Sequence, residues 1–237
     1  RRGPRRGSGL DPRMVDLVLY KTYADLRAEA AKTYINYLWW IVDPILSMLV
    51  FYVVFGLLLG RGGDGFVAFL LTGLVFWSWY NQTLSHAGNT ILSAGGLMNQ
   101  VHVPKLVFPI VTILTDFTKF CVVLAVLLLF LWLSGYAVST AYLALPFVIS
   151  IQLMLCTALS LLLAGIVPYV PDLKLVVNNL IHLQFFLSGI FFAPADIPEQ
   201  YHTWFYANPM ATLIESYRDI LLQGAWPHAG RLTVIAA

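Results

Sequence analysis

Charge is what this chain has least of. Asp, Glu, Lys and Arg make up only 11% of its 237 residues, where a soluble domain carries about 25%. With 59% hydrophobic residues and a mean hydropathy of +0.76, a soluble fold would have nowhere to put so much apolar surface. Cysteine is nearly missing as well. Cys121 and Cys156 both fall in apolar runs, which excludes a disulfide framework or a cysteine metal site and reads as two small buried hydrophobes. Catalytic signatures are absent: there is no HExxH, no GxSxG and no Cys/His cluster, so no catalytic, cofactor-binding or metal-ligating residue is expected here. His86, His102, His182, His202 and His228 stand singly, without a carboxylate at catalytic spacing, and read as polar contacts. No GxxxxGK[ST] occurs either. Lys32-Thr33 has that ending but sits in an alanine-rich helix with no glycine, so an ATP-driven process would need its ATPase on another polypeptide. The net charge of +2 says little by itself, and no nucleic-acid partner is expected.

What is present is a set of long runs without any charge. None of the four charged types occurs in 44–60, 65–104, 120–171 or 175–195. A membrane-spanning helix needs about 20 mostly apolar residues, so these runs can hold a bundle of spans, and the fold class is an all-α polytopic membrane protein. The pattern predicts spans over about 38–59, 66–90, 106–133, 140–167 and 173–193. A last one opens near 230 and is cut short by the end of the chain at 237.

Residues 1–11 are basic and rich in Gly and Pro and predict a flexible tail able to touch anionic headgroups. An amphipathic segment follows rather than an apolar h-region, so no cleavable signal is expected. From 12 to 37 the period is helical. Leu19, Tyr23, Leu26, Ala30, Tyr34 and Tyr37 share one stripe, and Lys21, Asp25, Glu29 and Lys32 the opposite one. That pattern suits a helix lying in the cytosolic membrane interface against lipid. The segment 193–224 is mixed in polarity and too broken to span, and predicts two short pieces dipping into the outer face. Eight of the basic residues precede residue 38, and Lys105 and Lys174 fall in the remaining inner loops. Arg61, Arg218 and Arg231 would lie outside. By the positive-inside rule the N-terminus is cytosolic.

Asp116 and Lys119 lie three apart inside the third run, on one helix face. Ionisable groups in a bilayer mark functional or interhelical sites. Two readings stand: an ion- or proton-coupling pair, or a mutually neutralised pair with Lys119 snorkelling inward. Aromatics crowd FVAFLLTGLVFWSWYNQ, HLQFFLSGIFF and the outer segment. They read either as an interfacial belt and packing or as ring faces lining a route for sugars.

Several motifs occur in a telling order. NYLWWIVDP follows the interface helix, with Leu38, Trp39 and Pro44 in an LWxxxxP pattern, and VHVPKLVFPI places Pro104, Lys105 and Pro109. YVPDLKL then leads to FFLSGIFF, and NPMATLIESYRDILL closes the outer segment. In this order, over about residues 20–225, the chain resembles the permease subunit of ABC type 2 exporters, most closely the Wzm-type and capsule-export permeases for lipid-linked polysaccharide. The resemblance implies about six spans in a bacterial cytoplasmic (inner) membrane, a homodimer with its channel between the subunits, and two copies of a separate ATPase that bind ATP and Mg. It implies ATPase coupling by the loop at about 92–104, through Leu97, Met98, Asn99, Gln100, Val101, His102, Pro104 and Lys105. Tyr37, Trp39, Trp40 and Asp43 would stand at the doorway to the channel, with Phe69, Phe76, Trp77, Tyr80, Phe185 and Phe186 as candidate lining. Trp204, Tyr206, Asn208, Pro209, Met210, Glu215 and Arg218 would form the outer gate, between the fifth and sixth spans. Asp43 replaces a common Gln, Asn99-Gln100 replace a common basic residue, and Pro171-Asp172 replace the usual Arg-Asp. The same fold could instead export teichoic acid, a drug or a lipid, and an ion-coupled carrier using Asp116 and Lys119 belongs to a different class.

Overall fold

The computed structural model describes residues 12–31, 38–58, 60, 63, 65–93, 104, 106–170 and 172–236. The basic tail, Tyr37 and most of the 92–104 loop lie outside that set. Among the described residues every regular element is helical. The first helix, α1, is Pro12–Ala30, and α2 is Trp39–Phe51, continued by a π-helical turn over Tyr52–Leu58. Then come α3 (Phe66–Ser93), α4 (Val107–Leu133), a 3₁₀ turn at Thr140–Ala144, α5 (Leu145–Ile166) and α6 (Leu173–Leu187). The outer segment holds 3₁₀ turns at Pro194–Asp196 and Glu199–Tyr201, α7 (His202–Tyr206), α8 (Pro209–Arg218) and a π-helical turn at Asp219–Gln223, and α9 is Ala229–Ala236.

Among the described residues two helical runs are long and apolar enough to cross a membrane by length and composition, Val107–Leu133 and Thr140–Ile166, and Trp39–Phe55 and Leu173–Leu187 are shorter apolar helices. At 1.5 Å per residue the 27 residues of α4 extend about 40 Å, more than the hydrocarbon core. α3 has the length but not the uniform apolarity. From its middle onward it carries Ser78, Asn81, Gln82, Ser85 and His86, polar groups that would be costly facing lipid. The fold resolves this by making α3 the central helix, packed on α2, α4, α5 and α8. Leu70, Phe76, Trp77, Trp79, Tyr80 and Leu84 are all buried.

α6 ends at Leu187, earlier than the apolar run suggests. Gly189 adopts the left-handed region at φ +69°, and a Cβ there would meet the Phe205 ring at 2.8 Å. Only glycine turns the chain so tightly at that point. The return path carries α8, whose ten residues make about 15 Å, half of what a span requires. The expected amphipathic dip is instead an almost wholly enclosed insertion. Met210, Ala211, Leu213, Ile214 and Tyr217 are buried, because α8 wedges between α3, α5 and α9.

α1 packs on α4 by the face expected to be polar. Thr22 is buried, whereas Leu19 and Tyr23 of the apolar stripe are exposed. The physical reason is that α4 offers Lys119 as a partner for the acidic face, which leaves the apolar stripe free for lipid.

Candidate functional site

The sequence-predicted residues fall into three places. The α1 end of the bundle holds the ionisable pair and the doorway residues. Asp116 is buried, and His86 Nδ1 of α3 lies 2.9 Å from its Oδ2 and 3.1 Å from its Oδ1. Lys119, also buried, has Nζ 3.4 Å from Asp116 Oδ1 and 2.5 Å from Glu29 Oε2 of α1. Its ammonium stands 5.7 Å from the centre of the Trp40 ring, at the outer reach of a cation–π contact. Asp43 is exposed and shares a cavity of about 310 Å³ with Glu29, Trp40, Gln82, His86 and Lys119. Trp39 is exposed on the first turn of α2. Tyr37 lies outside the described residues. So do Leu97, Met98, Asn99, Gln100, Val101, His102 and Lys105 of the coupling loop. Pro104 is exposed, and its carbonyl accepts from Val107 N at 3.0 Å to open α4.

The aromatic candidates divide sharply by exposure. Phe76 has no exposed surface and stacks on Tyr217 of α8, centroids 3.4 Å apart and planes within 5°. It is packed inside the chain. Trp77 and Tyr80 are buried too, with Trp77 5.5 Å from Phe185 of α6. Phe186 is exposed. Tyr80 donates to Gln184 Oε1 at 3.0 Å, and Gln184 Nε2 donates to Asn208 Oδ1 at 2.8 Å. This chain of polar groups ties α3 to α6 and on to the cap of α8.

At the α8 end, Asn208 caps its helix. Its Oδ1 accepts from Met210 N at 3.1 Å, and its Nδ2 donates to Ser188 Oγ at 2.9 Å. Pro209 follows at the first helical position, where its missing N–H costs nothing. Arg218 is buried and spends its donors on backbone carbonyls. Nη1 donates to Gly189 O at 2.6 Å, Nη2 to Ile190 O at 2.9 Å, and Nε and Nη2 to Phe69 O at 3.3 and 3.1 Å. Its guanidinium also lies 3.3 Å over the Phe69 ring. Gly73 makes the room, since a Cβ there would come within 2.7 Å of Nη2. Glu215 accepts from Tyr206 at 3.0 Å and from Arg231 Nη1 at 3.1 Å. Burial, then the Glu215 hydrogen bond, push the Tyr206 phenol above its ordinary pKa. Trp204 is exposed.

Three participants escaped the sequence reading. His86 stands singly in the sequence, yet it pairs with Asp116, 30 residues on. Glu29 reads as one of the polar stripe of α1, with no sign in the sequence that it reaches Lys119. Gln184 carried no signal beyond being an amide in an apolar run.

Comparison with known proteins decides the family. A family model described as ABC-2 type transporter matches residues 22–222. The chain belongs to that family. It is therefore the membrane subunit of a transporter rather than an enzyme, as the ordered motifs implied. An O-antigen export system permease protein RfbA of Klebsiella pneumoniae is 24% identical over 212 residues, covering 89% of this chain and 82% of that protein. The RfbA of Myxococcus xanthus is 26% identical over 223 residues, 93% of this chain and 86% of its own length. The polysialic acid transport protein KpsM of Escherichia coli is 26% identical over 203 residues, with 84% and 79% covered.

Proposed function

We propose that this chain is the permease half of an ATP-driven exporter that moves a lipid-linked polysaccharide, O-antigen or capsule, across the bacterial cytoplasmic membrane. The observation that carries the reading is the likeness to O-antigen and polysialic acid export permeases along 84–93% of the chain. Two copies would form the channel between them, each with about six spans and the α8 insertion re-entering from the outer face. The α1 end would then be cytosolic, in keeping with its basic residues. Two copies of a separate ABC ATPase would bind ATP and Mg and grip that end. The loop through Leu97–His102, Pro104 and Lys105 would seat in the ATPase. Trp39, Trp40 and Asp43 would border the way in, and Trp77, Tyr80, Phe185 and Phe186 would lie nearest the glycan path.

Deleting the gene should abolish surface polysaccharide, and the purified permease should carry an ABC ATPase with it. Normal surface polysaccharide after deletion overturns the cargo assignment and points to teichoic acid, drug or lipid export. Transport that runs on a proton gradient without an ATPase overturns the mechanism. Changing Pro104 and Lys105 together should uncouple ATP hydrolysis from export while the permease stays folded.

A further inference from the structure

By spacing alone, Asp116 and Lys119 form a pair that neutralises itself within one helix. In the fold each group's closer partner is on another element. Lys119 Nζ is nearer to Glu29 of α1, at 2.5 Å, than to Asp116, at 3.4 Å. Asp116 in turn sits 2.9 Å from His86 of α3. The result is an ordered row, Glu29, Lys119, Asp116, His86, with carboxylates and nitrogen bases alternating across three helices. The two middle side chains are 7% and 2% exposed, and the two outer ones 46% and 48%. A second cavity of about 310 Å³, on which Asp25, Thr112 and Thr115 also border, lies beside the first and shares Glu29, His86, Asp116 and Lys119 with it. The row therefore has free space on two sides.

We propose that Lys119 is the coupling residue of this permease, exchanging Glu29 for Asp116 when α1 shifts. A buried ammonium cannot stay unpaired. If α1 withdraws, Lys119 closes on Asp116, the nearest remaining carboxylate, and the Asp116 oxygens are drawn off His86. The second half of α3 is then released from α4, and that helix carries Trp77 and Tyr80. Movement of the interface helix thereby becomes movement of the central helix. Asp43 borders the first cavity from α2, but among the described residues the carboxylates in ion-pair contact with Lys119 are those of Glu29 and Asp116. Lys119 acts through its partners and is a positioning residue. The inference rests on the exporter reading, because the ATPase is what would displace α1.

The test uses inside-out membrane vesicles from cells making the permease, its ATPase and the lipid-linked glycan, and counts ATP hydrolysed per glycan exported. Glu29→Gln and Lys119→Met should raise that ratio about fivefold or more at unchanged permease levels. Lys119→Arg keeps a cation within reach of both carboxylates and should stay near wild type. Asp25→Asn is the control: its partner Lys21 lies on its own helix at 2.9 Å, so the ratio should hold. An unchanged ratio in Glu29→Gln overturns the proposal, as does a ratio in Lys119→Arg as high as in Lys119→Met. If Lys119→Met fails to reach the membrane, Glu29→Gln decides alone, because a half-exposed carboxylate tolerates its amide. Wild-type vesicles without ATP-dependent export overturn the exporter reading itself, a separate result.

Discussion

Each end of the bundle encloses a cation, and the two are held in opposite ways. At the α8 end Arg218 is surrounded by backbone carbonyls of Phe69, Gly189 and Ile190. These partners cannot move without the main chain, and they belong to α3 and to the turn that ends α6. At the α1 end Lys119 is held by carboxylates on flexible side chains, beside two cavities. The difference follows from residue type. A planar guanidinium with five donors fits several fixed acceptors at once, whereas an ammonium on a four-carbon stem can swing between partners. One end is built to stay and the other to change.

The largest effect that contrast predicts is at Arg218. Arg218→Met leaves the turn carbonyls of Gly189 and Ile190 without their donor in a dry interior and should cost about 3–5 kcal/mol. The expected outcome is loss of the purified, monodisperse permease, with Arg218→Lys falling in between because it offers charge without the fork. A melting temperature within about 2 °C of wild type would remove the distinction between the two ends.

Lys119→Met should cost less, about 2–3 kcal/mol, since Asp116 keeps His86 as a partner. The sharper measurement is the double variant. Lys119→Met with Asp116→Asn removes both buried charges and should recover most of the lost stability. No such second-site recovery is available to Arg218, whose acceptors are main-chain groups. A double variant that is simply additive would show the row to be as rigid as the outer clamp.

The asymmetry between the ends was only half legible in the sequence. The apolar runs of 107–133 and 140–166 announce helices long enough to cross a membrane, because composition and length suffice for that. The neighbourhood of Asp116 and Lys119 was legible too, since three residues along a helix is a local relation. Their main partners were not, because Glu29 and His86 arrive from other helices and leave no periodicity behind. Arg218 reads from the sequence as one more outer charge, and nothing there announces the backbone carbonyls that hold its guanidinium inside the chain. Backbone acceptors have no residue signature, so sequence could not reveal them. The packing of Phe76 on Tyr217 was illegible for the reverse reason: an aromatic in a span looks the same whether it lines a path or packs inside the chain.

Asn208 tests the joint between these regions. Its side chain caps α8 and closes the polar chain from Tyr80 through Gln184. Asn208→Ala should cost about 1–2 kcal/mol through the lost cap, and Gln184→Leu should cost less when added to it than alone. Full additivity by thermal unfolding would show that cap and chain act separately.

The smallest effect should come from the arginine nearest to Arg218 in kind. Arg231 also points into the α8 region, donating to Glu215 at 3.1 Å and lying 3.7 Å over the Tyr206 ring. Its side chain is 40% exposed, however, and its carboxylate partner 21%, so water competes for both. Arg231→Gln should cost no more than about 1 kcal/mol, combining a screened ion pair with one exposed cation–π contact. Most of that loss should vanish at high salt, leaving the part due to stacking on Tyr206. Arg231→Lys separates the two contributions, because it keeps the charge and gives up the flat contact. Melting temperatures of the two variants and of wild type at low and high salt provide the check. A salt-independent loss as large as that of Arg218→Met would mean that burial, on which the contrast between the two ends depends, does not govern what an arginine is worth in this fold.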